Sequence, residues 1–186
     1  MSGGLAMPRY VALLRGVNVG KGKRVPMAEW RAAMLAAGHT EVATLLNSGN
    51  AVFGNASRSP QGLADGIATL VRETFGVETT VVVKSARELH TIVDTAPFVP
   101  NEAEHARCLV VFAMQAATMH ALQALQPLLQ PGERLGITPH AAYLLCPQGL
   151  LESLAGEALL GKLGRGVTTR NWATVLKLRA LLGKPG

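Results

Sequence analysis

Side chains suited to holding an oxyanion gather in two basic, glycine-bearing segments of this chain. The first reads Arg15-Gly-Val-Asn-Val-Gly-Lys-Gly-Lys-Arg24 and the second Arg165-Gly-Val-Thr-Thr-Arg-Asn-Trp172. Arginine offers a planar fork of donors that fits phosphate or carboxylate, and lysine adds a compact point charge. Glycine lets backbone N–H groups converge on an anion with no side chain in the way. A shorter segment, Asn47-Ser-Gly-Asn50, adds a hydroxyl and two amides. On chemical type the expected ligand contacts are Arg15, Asn18, Lys23, Ser48, Asn50, Thr169, Arg170 and Asn171. That set recognises anions well but contains no obvious general base, so it predicts binding and names no catalytic residue.

The familiar nucleotide and hydrolase motifs do not fit. A phosphate loop needs four residues between its first glycine and Gly-Lys-Ser/Thr. Gly16 to Gly20-Lys21 is one residue short, Gly16 to Gly22-Lys23 is one too long, and neither lysine precedes Ser or Thr. A dinucleotide GxGxxG fails because Val25 stands where its last glycine belongs. A looser anion nest built from these glycines with Lys21, Lys23 and Arg24 stays compatible with the pattern. Ser48 lacks the GxSxG elbow and a histidine in register, so turn chemistry explains it better than nucleophilic catalysis. Cys108 and Cys146 lie in apolar runs without a CxxC, and are expected as buried hydrophobes. His39, His90, His105, His120 and His140 are scattered, so no metal site is expected, and no cofactor.

Charge singles out the two ends. Residues 1–24 hold five basic and no acidic side chains, residues 162–186 hold six and none, and the net charge is +6. This asymmetry points to an acidic partner, either a phosphorylated small molecule or a nucleic acid. The plainer account is two solvated basic faces. Aromatic residues make up only 4% of the chain, which counts against a stacking platform for nucleic-acid bases. The longest early apolar run, residues 10–14, stops at Arg15, too short for a secretion signal or membrane span. A cytoplasmic location away from membranes is the expectation.

The elements that must position these residues follow from periodicity and punctuation. Residues 10–14 form a β-run, and Pro26 opens a helix with Met27, Trp30 and Met34 on its apolar face, closed by Gly38. Residues 42–46 and 51–53 flank the 47–50 turn as a hairpin. Ser59-Pro60 starts a helix carrying Leu63, Ile67, Leu70 and Val71, ended by Gly76, and residues 79–84 are a β-branched strand. The order β-α-β-β-α-β is that of a split βαβ, ferredoxin-like unit. Ser85 and Glu88 predict a capping box for a third helix that Pro97 stops.

The second half repeats the order. Residues 107–113 read as a strand, 118–129 as a helix, 134–138 and 141–146 as a hairpin, and 150–163 as a glycine-dotted helical region. The last helix is expected over 169–182, capped by Thr168 or Thr169 and plugging the core with Trp172. Arg170 would then lie in a first helical turn, where the dipole disfavours a cation, and Arg170, Thr174 and Lys177 would line the outer face. The fold class is therefore α+β: two ferredoxin-like (split βαβ) halves in tandem with additional C-terminal helices. The expected divisions are residues 7–96, a linker at 97–106, and residues 107–186, with no residue-level repeat visible between the halves.

The chain also resembles a known family. Tyr10-Val-Ala-Leu-Leu-Arg-Gly-Val-Asn-Val-Gly, Lys23-Arg-Val-Pro-Met, Asn47-Ser-Gly-Asn-Ala-Val-Phe and Thr168-Thr-Arg-Asn-Trp-Ala-Thr-Val-Leu-Lys-Leu are similar, in order, to signatures of the bacterial "domain of unknown function 1697" family. The resemblance implies an α+β fold of two ferredoxin-like halves and carries no established activity, cofactor or catalytic residue. It also implies a Ser-Lys-Leu after the second hairpin, where this chain has Glu152-Ser-Leu-Ala155 and no lysine. The reading that follows is a cytoplasmic, phosphate- or anion-binding protein without catalytic chemistry. The alternatives are an enzyme acting on a phosphorylated small molecule, or a protein-interaction module with a basic face. Oligomeric state is left open.

Overall fold

The computed structural model describes residues 7–183. Contacts between Cα atoms divide these into two compact units: residues 7–90 with 178–183, and Thr91–Lys177. The first unit contains β1 (Arg9–Leu14), α1 (Met27–Ala36), β2 (Thr40–Leu45), β3 (Asn50–Gly54), α2 (Pro60–Phe75) and β4 (Val81–Ser85). Helix α3 (Ala86–Asp94) follows and ends in the second unit. The second unit contains β5 (Cys108–Ala113), α4 (Ala116–Ala121), β6 (Arg134–Ile137), β7 (Ala142–Leu145), α5 (Leu154–Leu160) and β8 (Val167–Asn171). Helix α6 (Trp172–Leu182) begins there and ends in the first unit.

Each unit has one four-stranded antiparallel sheet, ordered β2-β3-β1-β4 in the first and β6-β7-β5-β8 in the second. Counted within its own unit, each sheet runs strand two, three, one, four. The chain is thus a mixed α+β protein built as two tandem sheet–helix halves. The apolar first and third strands of each unit lie in the sheet centre. β1 and β3, β5 and β7 carry almost wholly buried runs, as strands covered on both faces must.

Local chemistry sets the helix boundaries. Ser59 Oγ accepts the Gly62 N–H at 3.1 Å to start α2, and Gly76 at φ +66° ends it. The capping box at α3 is present: Ser85 N–H donates to Glu88 Oε2 at 2.7 Å and Glu88 N–H to Ser85 Oγ at 3.2 Å. In the second unit Leu109, Val111, Ala142, Leu144 and Val167 meet Met119, Leu122, Leu125, Ala155 and Leu159 in one apolar cluster. The opposite sheet face is also buried. There the Tyr143 hydroxyl donates to Ile92 O at 2.6 Å, with the Phe98 and Trp172 rings each 6.5 Å away.

Two elements differ from expectation. The predicted helix over 118–129 is α4 followed by a 3-10 stretch, Leu122–Leu128, because Pro127 has no N–H to continue an α-helix. The final helix starts at Trp172, not at Thr169. Val167, Thr168 and Thr169 are β-branched, and pairing with β5 draws them and Arg170 into β8. Thr174 is buried, so the outer face of α6 also differs from the predicted one. Within residues 97–106, Asn101 and Glu104 form a second capping box that opens a 3-10 turn, Glu102–Arg107.

Candidate functional site

The loop between β1 and α1 is held from inside. Its apolar side chains Val17 and Val25 are buried, and Asn18 ties the ends together at φ +57°. Asn18 Nδ2 donates to Val25 O and Asn47 O, both at 2.8 Å, and Asn18 Oδ1 accepts the Val25 N–H at 2.9 Å. The Asn18 N–H itself donates to Lys23 O at 2.9 Å. Its polar groups are thus spent on the loop. Arg24 folds back the same way, donating from Nη2 to Gly20 O at 2.6 Å. At the loop's start, the Arg15 N–H donates to Thr80 O at 2.9 Å and Thr79 Oγ1 at 3.1 Å, and the Thr79 hydroxyl donates to Arg15 O at 2.7 Å.

The 47–50 turn is sewn to this loop. Leu14 N–H donates to Gly49 O at 2.8 Å, and the fully buried Asn50 donates from Nδ2 to Leu45 O and Ser48 Oγ, both at 2.9 Å. Gly49 has φ +83°, and a Cβ there would stand 2.7 Å from Leu14 Cβ and 2.8 Å from Val17 Cγ2. Only glycine allows the turn to lie this close. One end of the first unit therefore brings together Arg15, Asn18, Lys23, Ser48 and Asn50. Beside them lies an open cleft of about 510 Å³ lined by Arg15, Gly16, Lys23, Glu78, Thr79 and Thr80. Among the described residues, the charged heads of Arg15, Lys23 and Glu78 have no hydrogen bond or ion pair.

A family model described as "Protein of unknown function (DUF1697)" matches residues 7–143. The chain belongs to that family. The conserved bacterial protein SP0830 from Streptococcus pneumoniae has a similar solved structure, with a TM-score of 0.77 at 23% identity. The likeness spans 95% of this chain and 99% of that one and concerns the fold alone. Comparison with curated proteins returns no match.

In this DUF1697 chain the other three expected contacts, Thr169, Arg170 and Asn171, belong to the second unit and lie on β8. Contrary to expectation, Arg170 does not oppose a helix dipole, because it pairs with Val110 of β5 in a strand. Arg170 is 8% exposed, and its guanidinium donates from Nη1 to Thr168 Oγ1 at 2.8 Å and Thr169 O at 2.7 Å. Burial pulls its pKa down to about 10, so it remains a cation at neutral pH. Asn171, not either threonine, caps α6 by accepting the Thr174 N–H on Oδ1 at 2.9 Å.

Lys84 was not marked by the sequence reading. It is 8% exposed, pairs in register with Val11 of β1, and lies 3.9 Å from Glu88 Oε1. Burial lowers its pKa, and Glu88 partly offsets that. Lys84 sits one residue before the end of β4 and Arg170 one before the end of β8, each followed by a helix cap, Ser85 and Asn171. A lysine closing a β-branched run looks the same in sequence whether it is wet or buried. Glu78, Thr79 and Thr80 were also missed as cleft residues, for nothing local marks a strand's approach as one wall of a site.

Both cysteines are buried, and burial pushes the Cys108 thiol up to about 12 and raises Cys146. Neither is a thiolate at neutral pH, which removes the nucleophile each would need to be. Among the described residues no group of three His, Cys, Asp or Glu side chains is placed to hold a metal ion. None of their helices is long and apolar enough to cross a membrane.

Proposed function

We propose that this protein binds a phosphate-bearing anion in the open cleft of its first unit, in the cytoplasm and without catalytic chemistry of its own. One observation carries the reading: two cations with unspent charged heads, Arg15 and Lys23, line the cleft from a loop that the Asn18 and Arg24 side chains hold in place. Three non-glycine residues around this end, Asn18, Lys23 and Leu46, have positive φ, the kind of local strain that collects at binding sites. Arg15 and Lys23 are the proposed ligand contacts, with Asn18 and Asn50 positioning them. Arg170, already engaged and buried, is assigned to packing. The common strand order of the two sheets supports reading each half as a ferredoxin-like, split βαβ unit.

The test is calorimetric titration of the full chain with inorganic phosphate, pyrophosphate and O-phosphoethanolamine. Replacing both cations (Arg15→Gln with Lys23→Gln) should cost about 1.5–3 kcal/mol for each charged hydrogen bond lost. Absence of binding to the unmodified protein, or equal binding by the double variant, would overturn the proposal.

A further inference from the structure

We infer that the cleft selects a small phosphate ester that also carries an amine, and disfavours polyanions; this rests on the phosphate reading above. Glu78 faces the same cleft as Arg15 and Lys23, yet among the described residues no ion pair joins it to either. Opposite charges that line one cleft without neutralising each other leave both kinds of partner open to a ligand.

Their separation is set by backbone, not by attraction between the side chains. Arg15 N–H reaches Thr80 O at 2.9 Å and Thr79 Oγ1 at 3.1 Å, and Thr79 Oγ1 reaches Arg15 O at 2.7 Å. These bonds tie the start of the basic loop to the segment that follows Glu78, so the backbone carrying the carboxylate stays beside the backbone carrying Arg15. A ligand with one phosphate and one ammonium satisfies both walls. A second phosphate would meet Glu78 as a like charge, and each added charge raises that repulsion. The volume of about 510 Å³ lies in the range of small-ligand sites.

The probes are O-phosphoethanolamine, inorganic phosphate and pyrophosphate, titrated into the full chain and into Glu78→Gln. Glu78 is exposed, so this variant should fold, and a thermal melt checks it. The unmodified protein should bind O-phosphoethanolamine about tenfold or more tighter than inorganic phosphate, as one charged hydrogen bond would give. Glu78→Gln should erase that preference and strengthen pyrophosphate severalfold. If phosphate and pyrophosphate bind through Arg15 and Lys23 but Glu78→Gln alters no preference, the two-walled selection is wrong and the phosphate reading stands. If none of the three ligands binds, the phosphate reading falls and takes this inference with it.

Discussion

The two units repeat one strand order but differ in what joins the first strand to the first helix. In the second unit β5 passes to α4 through residues 114–115, whereas in the first β1 reaches α1 through residues 15–26. That longer connection carries Arg15, Asn18 and Lys23. Among the described residues, all the non-glycine positions with positive φ (Asn18, Lys23, Glu41 and Leu46) also belong to the first unit. At the far end of each sheet the units agree instead. Lys84 and Arg170 are buried cations at matching register positions, opposite Val11 and Val110, and Ser85 and Asn171 cap the helices that follow. Features present in both units are what the scaffold needs to pack. The feature present in one carries the proposed ligand site.

The largest expected effect tests the packing half of this comparison. Trp172→Ala should open a cavity beside Tyr143 and cost about 3–5 kcal/mol in a denaturant melt. A loss below about 1 kcal/mol would mean that the second unit does not depend on that ring. Gly49→Ala comes next. A Cβ pressed on Leu14 and Val17 at φ +83° should cost about 2–4 kcal/mol and weaken anion binding by loosening the basic loop. Gly166→Ala, at φ +82° with nothing within 4 Å, should cost only about 1–2 kcal/mol and leave binding unchanged. Equal losses at the two glycines would remove the claim that the loop is sewn to the turn.

The matched cations give a finer test. Arg170→Met should cost about 1–3 kcal/mol, because Thr168 Oγ1 and Thr169 O lose a charged donor. Lys84→Met should change stability by no more than about 1 kcal/mol in either direction, since Glu88 keeps its bonds to Ser85 and a costly buried charge is gone. Neither change should affect ligand affinity if these residues belong to the scaffold. A loss of affinity with unchanged melting in Arg170→Met would return that residue to the site.

Alkaline pH gives the smallest effect. Cys108 titrates at about 12 in the folded protein against an ordinary 9.0, and burial raises Cys146 too. Above pH 9 the unfolded chain loses thiol protons that the folded chain keeps, so stability should fall as pH rises. Lys84 acts in the opposite sense, because its folded pKa is lowered and the unfolded lysine is the better proton binder. Urea midpoints between pH 8 and 10 should therefore decline, and less steeply in a Cys108→Ala, Cys146→Ala variant. A flat profile in the unmodified protein would contradict this account.

Sequence alone determined most of the frame. The apolar runs, Ser59-Pro60, Gly76, and the Ser85 and Glu88 pair located strands and helix ends because those signals act over a few neighbouring residues. It also marked Arg15, Lys23 and the 47–50 turn, whose chemistry is local. Only tertiary structure decided the rest. Thr168 to Asn171 read as a helix start but form a strand, since pairing with β5 is a long-range interaction that no local propensity encodes. Arg170 and Lys84 look like solvated cations in sequence, and their burial follows from which sheet face is covered. Glu78 is far from Arg15 along the chain, and the two line one cleft because Thr79 and Thr80 bond across to Arg15. A site assembled from two distant segments exists only once the backbone between them has folded.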